Sequence, residues 1–211
     1  MRHLPSLLCA LFVGCAPVAG DGVSLTETRD VGDFDGVAVE GALRVEVITG
    51  DPRALTVTTD ANLMELVETV VEDHALQVRP AEWIEPTIPV EVSLGAATLD
   101  FLSARQTGSV ALAHRVAAQR FGVAASDGAT AQAGGTCEVL RAVASDHGSI
   151  QATSLVCADG RVDAQEGARI EVTVTGHLEV RASGESVVVI HGNPTEVERF
   201  VTDDSTLELV P

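Results

Sequence analysis

Tyrosine is absent from this 211-residue chain, tryptophan occurs once and phenylalanine five times. That set offers no aromatic platform on which the bases of a single strand could stack. Cations are also scarce, with 13 Lys and Arg against 31 Asp and Glu for a net charge of −18, and the one short-range basic cluster is Arg105, Arg115 and Arg120. Such a field repels phosphate backbones, which makes nucleic acid a poor partner.

What is present begins with a targeting pattern. Arg2 and His3 precede the apolar run Leu7–Val13 and then Gly14-Cys15, the form of a bacterial signal peptide, and the run is too short to cross a bilayer as a helix. Phe12-Val13-Gly14-Cys15 resembles a lipobox, in which the Cys after a small residue is lipidated and becomes the mature N-terminus. The expectation is therefore a signal peptide over 1–14, a lipidated Cys15, a flexible tether to residue 28, and one domain over 29–211. Ala16 carries no inner-membrane retention signal, so the address is an outer-membrane lipoprotein facing the periplasm or the surface. The competing reading is ordinary cleavage near Ala19 or Gly20, giving a soluble periplasmic or secreted protein.

A turn-like dipeptide then recurs through the second half: Gly108-Ser109, Gly128-Ala129, Gly148-Ser149, Gly167-Ala168, Glu185-Ser186 and Asp204-Ser205, at spacings of 20, 20, 19, 18 and 19. Between the marks lie short alternating stretches such as Phe121/Val123/Ala125, Leu140/Ala142/Ala144, Val162/Ala164 and Leu178/Val180/Ala182. Each unit can bury its apolar side only by stacking on its neighbours. The fold class is therefore all-β, a β-helix-like solenoid with coils over 99–211.

Residues 29–98 read as an N-terminal β-rich part. Val37/Val39, Val45/Val47 and Leu55/Val57 alternate as strands, Asp51-Pro52 marks a turn, and Leu76/Val78 and Val90/Val92/Leu94 resume the alternation. Asp60 is placed to cap a helix whose apolar face would be Leu63, Met64, Leu66, Val67, Val70 and Val71. Pro80, Pro86 and Pro89 bracket Trp83-Ile84 in a detour.

Cys137 and Cys157 stand one repeat apart. Equivalent positions on adjacent coils lie about 4.8 Å apart, within the roughly 4.4–6.8 Å that a disulfide accepts, and an oxidising envelope permits one. Two unpaired thiols buried in the core remain the other reading.

The stretches Arg29–Gly41, Val45–Gly50, Thr58–Leu63, Val67–Val71, Leu76–Val78 and Val189–Pro194 resemble the putative auto-transporter adhesin head GIN domain family of bacterial envelope proteins. The resemblance covers nearly the whole mature chain, and it implies a β-helix-like fold of strands with no catalytic residue. That family's coil turns read Gly-Ser-Gly-Asp, and here Gly108-Ser109 and Gly148-Ser149 keep the first two positions only.

Candidate sites are few. Asp127 and Asp146, with Asp163 and Glu166 nearby, could stack as Ca²⁺ ligands, although the irregular ladder fits a solvated face better. His74, His114, His147, His177 and His191 show no metal-ligand spacing. Asp146, His147 and Ser149 have the residue types of a hydrolase triad but lie too close in sequence to converge. Trp83 is a weak candidate for a ligand or partner contact, and packing in the core or capping of the helix is the favoured reading of a lone Trp. Taken together these features describe a non-enzymatic lipoprotein without cofactor, bound to the membrane by its anchor and to an envelope protein or glycan by a face. A polysaccharide-active enzyme and a scaffold in envelope signalling are the rival readings. The enzyme requires a groove in which carboxylates meet Arg105, Arg115 or Arg120.

Overall fold

The computed structural model describes residues 16–50, 55–112 and 115–211. The signal at 1–14, the lipidation candidate Cys15, the Asp51-Pro52 turn and His114 lie outside the described residues. Within them the chain is nearly all strand, and no helix is long and apolar enough to cross a membrane.

Each rung of the solenoid is a front strand, a tight corner and a back strand. In stacking order the front strands are Ala75–Pro80, Gly36–Glu40, Phe101–Arg105, then residues 121–125, 140–144 and 160–164, then His177–Ala182 and Glu196–Val201, all parallel. The back strands run alongside in the same order: Val90–Ala96, Leu43–Thr49, Ser109–Leu112, 130–132, 149–152, Arg169–Val174, Val187–His191 and Thr206–Val210. Among the described residues a third face is built in the middle, where residues 116–120, 135–139 and 155–157 pair in turn and 156–157 pair on with 173–174.

Register follows from the interior columns, because a slip of one residue would turn every apolar side chain outward. Leu102, Val123, Ala142, Val162 and Val180 stack on one another and are at most 2% exposed. Beside the corner, Ala104, Ala125, Ala144, Ala164 and Ala182 form a second buried column, small enough for front and back strands to meet.

The corner repeats one conformation. Gln106-Thr107, Asp127-Gly128, Asp146-His147, Glu166-Gly167, Gly184-Glu185 and Asp203-Asp204 all have positive φ at both residues, which is why Gly and Asp gather there. The second N–H of each corner donates to the first carbonyl of the next, from Thr107 to Asp127, Gly128 to Asp146, His147 to Glu166, Gly167 to Gly184 and Glu185 to Asp203. The dipeptides that mark the period in sequence thus fall within two residues of a hydrogen-bonded ladder.

At the N-terminal end chain order and stacking order part. The rung made by 36–49 lies between the rung of 75–96 and that of 101–112. Antiparallel strands then close the stack: Leu55–Asp60 on Val90–Ala96, Ser24–Arg29 on Leu55–Asp60, and Val67–Glu72 on Ala75–Pro80.

Two expectations are corrected here. The helix is a six-residue 3₁₀ turn, Ala61–Leu66, and Val67–Glu72 is a strand. β-branched Val67, Thr69, Val70 and Val71 favour the sheet edge that Ala75–Pro80 offers, while Leu63 and Met64 fill the core beneath it. Arg29 donates to the carbonyls of Met64 and Val67 and so occupies acceptors that a longer helix would have used. Residues 16–28, read above as a flexible tether, are docked instead: Val18–Ala19 pairs with Ile84–Glu85, and Ser24–Arg29 with Leu55–Asp60.

Candidate functional site

The most individual part of the surface is where the Trp83 loop leaves the corner between Ala75–Pro80 and Val90–Ala96. Pro80 and Pro86 bracket it, and each lacks a backbone donor, so the loop cannot continue the rung. Its N–H and C=O groups are met from elsewhere. Val18 N–H donates to the Trp83 carbonyl at 2.8 Å and Gly20 N–H to the Glu85 carbonyl at 2.9 Å. The first described residues of the chain therefore run along the loop as a short added strand.

Asp60 fastens this arrangement. It is fully buried, and it makes no capping bond to the 3₁₀ turn that follows it. One carboxylate oxygen accepts from Gly22 N–H at 2.7 Å, and the other accepts from Thr87 and Ile88 N–H at 2.9 Å each. Burial alone would raise its pKa, but the hydrogen bonds from Ile88, Gly22 and Thr87 outweigh that and hold it below the ordinary value. Asn62 adds a second clasp, donating to the Ala19 carbonyl and accepting from Asp21 N–H. Gly20 is required beside this nest, since a Cβ there would lie 2.3 Å from an Asp60 oxygen.

The Trp83 side chain itself is 66% exposed, so the core-packing alternative does not hold. Pro80, Ile84 and Pro86 with the corners at Gly41 and Gln106-Thr107 form a cleft of about 430 Å³ beneath it, edged by Glu40 and Glu82.

The other sequence candidates fall as follows. Cys137 and Cys157 are register partners on the third face and are disulfide-bonded, with Cα atoms 4.5 Å apart. Asp127 and Asp146 occupy adjacent rungs of the corner ladder, where the Asp127 carboxylate accepts from the Ser126 hydroxyl at 2.8 Å. Asp163 lies on the front face paired with Arg161, away from Glu166 in the corner. Asp146 and His147 are consecutive left-handed residues of one turn, and the His147 ring lies over Gly167 of the next rung. Arg115 and Arg120 share a groove of about 650 Å³ on the third face, where Asp100 is the one carboxylate among the described residues, while Arg105 ends a front strand next to the corner.

Sequence reading missed two groups. The Asp60 nest left no local signal, because its donors come from residues 22, 87 and 88. The second was within reach: His177, Glu196 and Glu198 bring their ligand atoms within 4.8 Å of one another, and they are one repeat apart, on paired front strands. All three are partly or fully exposed, with His177 Nε2 3.7 Å from a Glu198 oxygen.

Residues 33–194 match the family described as putative auto-transporter adhesin, head GIN domain. The chain belongs to this family. Solved structures share its fold. A putative adhesin from Bacteroides fragilis superposes with a TM-score of 0.74 at 13% identity, covering 92% of this chain and 100% of that one. A putative adhesin from Parabacteroides merdae gives 0.58 at 14%, covering 92% and 99%. A putative lipid binding protein from Parabacteroides distasonis gives 0.55 at 17%, covering 93% and 100%. No curated protein matches the sequence. At these identities the head GIN likeness establishes the stacked fold and nothing finer.

Proposed function

We propose that this head GIN protein is a non-enzymatic lipoprotein of the bacterial outer membrane, tethered through Cys15, whose stacked faces act as an adhesion-type scaffold for an envelope protein or glycan. The observation that carries this reading is the front face: eight parallel strands in register present a continuous surface about 34 Å long at ~4.8 Å per strand. Surfaces of this extent suit broad, multi-point contacts better than a pocket. The adhesin names of its structural neighbours support the same reading. The polysaccharide-enzyme alternative has less support, because among the described residues the groove that holds Arg115 and Arg120 brings one carboxylate, Asp100, where glycoside hydrolysis calls for two.

Two measurements test it. Mass spectrometry of the chain extracted from envelopes is expected to show an acylated N-terminal Cys15, and Cys15→Ser is expected to release the protein from the membrane fraction. Pulldown from envelope extract at low and high ionic strength then separates the partners. A basic protein drawn by the net charge is lost at high salt, whereas a glycan stays bound. Capture of nothing at either salt contradicts the scaffold reading.

A further inference from the structure

Trp83 stands exposed at the capping end of the stack. It is the only tryptophan of the chain, it is carried on a loop stiffened by Pro80 and Pro86, and it is the most exposed of the large apolar side chains among the described residues. Its carbonyl receives the N–H of Val18. Cys15 lies three residues upstream of Val18, and three residues reach at most about 11 Å. Whatever holds Cys15 is therefore held beside Trp83.

We infer that Trp83 seats in the headgroup layer of a zwitterionic bilayer, next to the lipidated Cys15, and fixes how the solenoid stands on the membrane. This rests on the lipid-anchored reading above. Indole suits that depth because its ring is apolar while its N–H needs a wet partner. The rest of the capping end agrees: Val23 and Leu25, 59% and 43% exposed, lie on the same docked segment, and Ala61 N–H holds the Val23 carbonyl in place. Glu82 and Glu85, on either side of Trp83 in sequence, are exposed, which keeps the loop at headgroup level and disfavours anionic lipid.

The acidic corners then run away from the surface. Asp127, Asp146, Glu166, Glu185, Asp203 and Asp204 occupy successive rungs beyond the Trp83 loop, so the standing orientation removes most of the negative ridge from the membrane. Asp60 is a positioning residue in this scheme. It ties Gly22 to Thr87 and Ile88 and so keeps the anchor strand and the Trp83 loop together.

The test uses the full lipidated chain in phosphatidylcholine vesicles, with Trp83 as the intrinsic probe. Expected are a blue-shifted emission, a severalfold fall in iodide quenching, and strong quenching by lipids brominated near the headgroup, all reduced when anionic lipid is added. The comparison is the double variant Trp83→Phe with Phe200→Trp, which moves the probe to the last front strand. Both positions are exposed, so neither change disturbs the core, and the moved probe is expected to stay open to iodide and blind to bromolipid. If Cys15 carries lipid and Trp83 remains open to iodide, the seating is wrong while the anchor stands. Equal quenching of both probes, or an emission shift that depends on protein concentration without lipid, also overturns it. An unacylated Cys15 removes the anchor and the seating together.

Discussion

The coils from residue 101 onward and the capping end before it are built on different terms. In the coils one conformation is repeated: every corner is a pair of left-handed residues bonded to the next, and each interior column is shared by neighbouring rungs. Stability there is spread over many equivalent contacts. At the capping end the rung of 36–49 is inserted out of order, strands run antiparallel, and a single carboxylate joins three separate segments. Redundancy belongs to the scaffold, and individuality to the end from which the chain departs toward its anchor.

The largest expected effect comes where the coils lose their redundancy. Gly135 has φ of +134°, and a Cβ there would lie 2.0 Å from the Val116 carbonyl oxygen, so no rotamer relieves the contact. Gly135→Ala is expected to cost more than about 4 kcal/mol in denaturant unfolding. A cost under about 1 kcal/mol would show that the third face is loosely held.

Next is the disulfide. Removing it by Cys137→Ala with Cys157→Ala opens a loop of 20 residues and is expected to cost about 3 kcal/mol by loop entropy. The two strands stay in register in the folded variant, since Val116, Gly135 and Leu155 still stack on the same face. Circular dichroism of the variant should therefore match the parent before melting.

Acid separates the two regions more gently. The Asp60 pKa is lowered on folding, so its ionised form favours the docked state above the ordinary carboxylate value of 3.8, and this contribution fades as pH falls below that. Protection of the Gly22, Thr87 and Ile88 amides, taken relative to their intrinsic exchange at each pH, is expected to fall below about pH 4, and Asp60→Asn should show the lost protection already at neutral pH. The smallest effect belongs to the corner ladder: Asp127→Asn with Asp146→Asn keeps side chains that tolerate left-handed backbone and should move stability by less than about 0.5 kcal/mol.

This contrast also explains what could be read from the sequence. Period and alternation gave the coils and the pairing of Cys137 with Cys157, because in a solenoid one repeat in sequence is one strand in space. The same rule reaches His177, Glu196 and Glu198 once the register of paired rungs is applied. It fails before residue 100, where the neighbours of a rung are not its neighbours in sequence. Asp60 looked like a helix cap because its local context, followed by Ala61 and Leu63-Met64, fits one; its actual donors are about 40 residues before it and nearly 30 after it. The helical spacing of Leu63 to Val71 likewise gave way to an antiparallel edge that only the folded chain supplies.

Hydrogen exchange on Asp60→Ala, resolved by peptide, tests the separation of anchor end from scaffold most directly. Loss of protection confined to residues 18–22 and 83–88, with the coil strands from 121 to 190 protected as in the parent, is the expected result. An even loss across the coils would contradict it, and would mean that the capping end and the stack open as one unit.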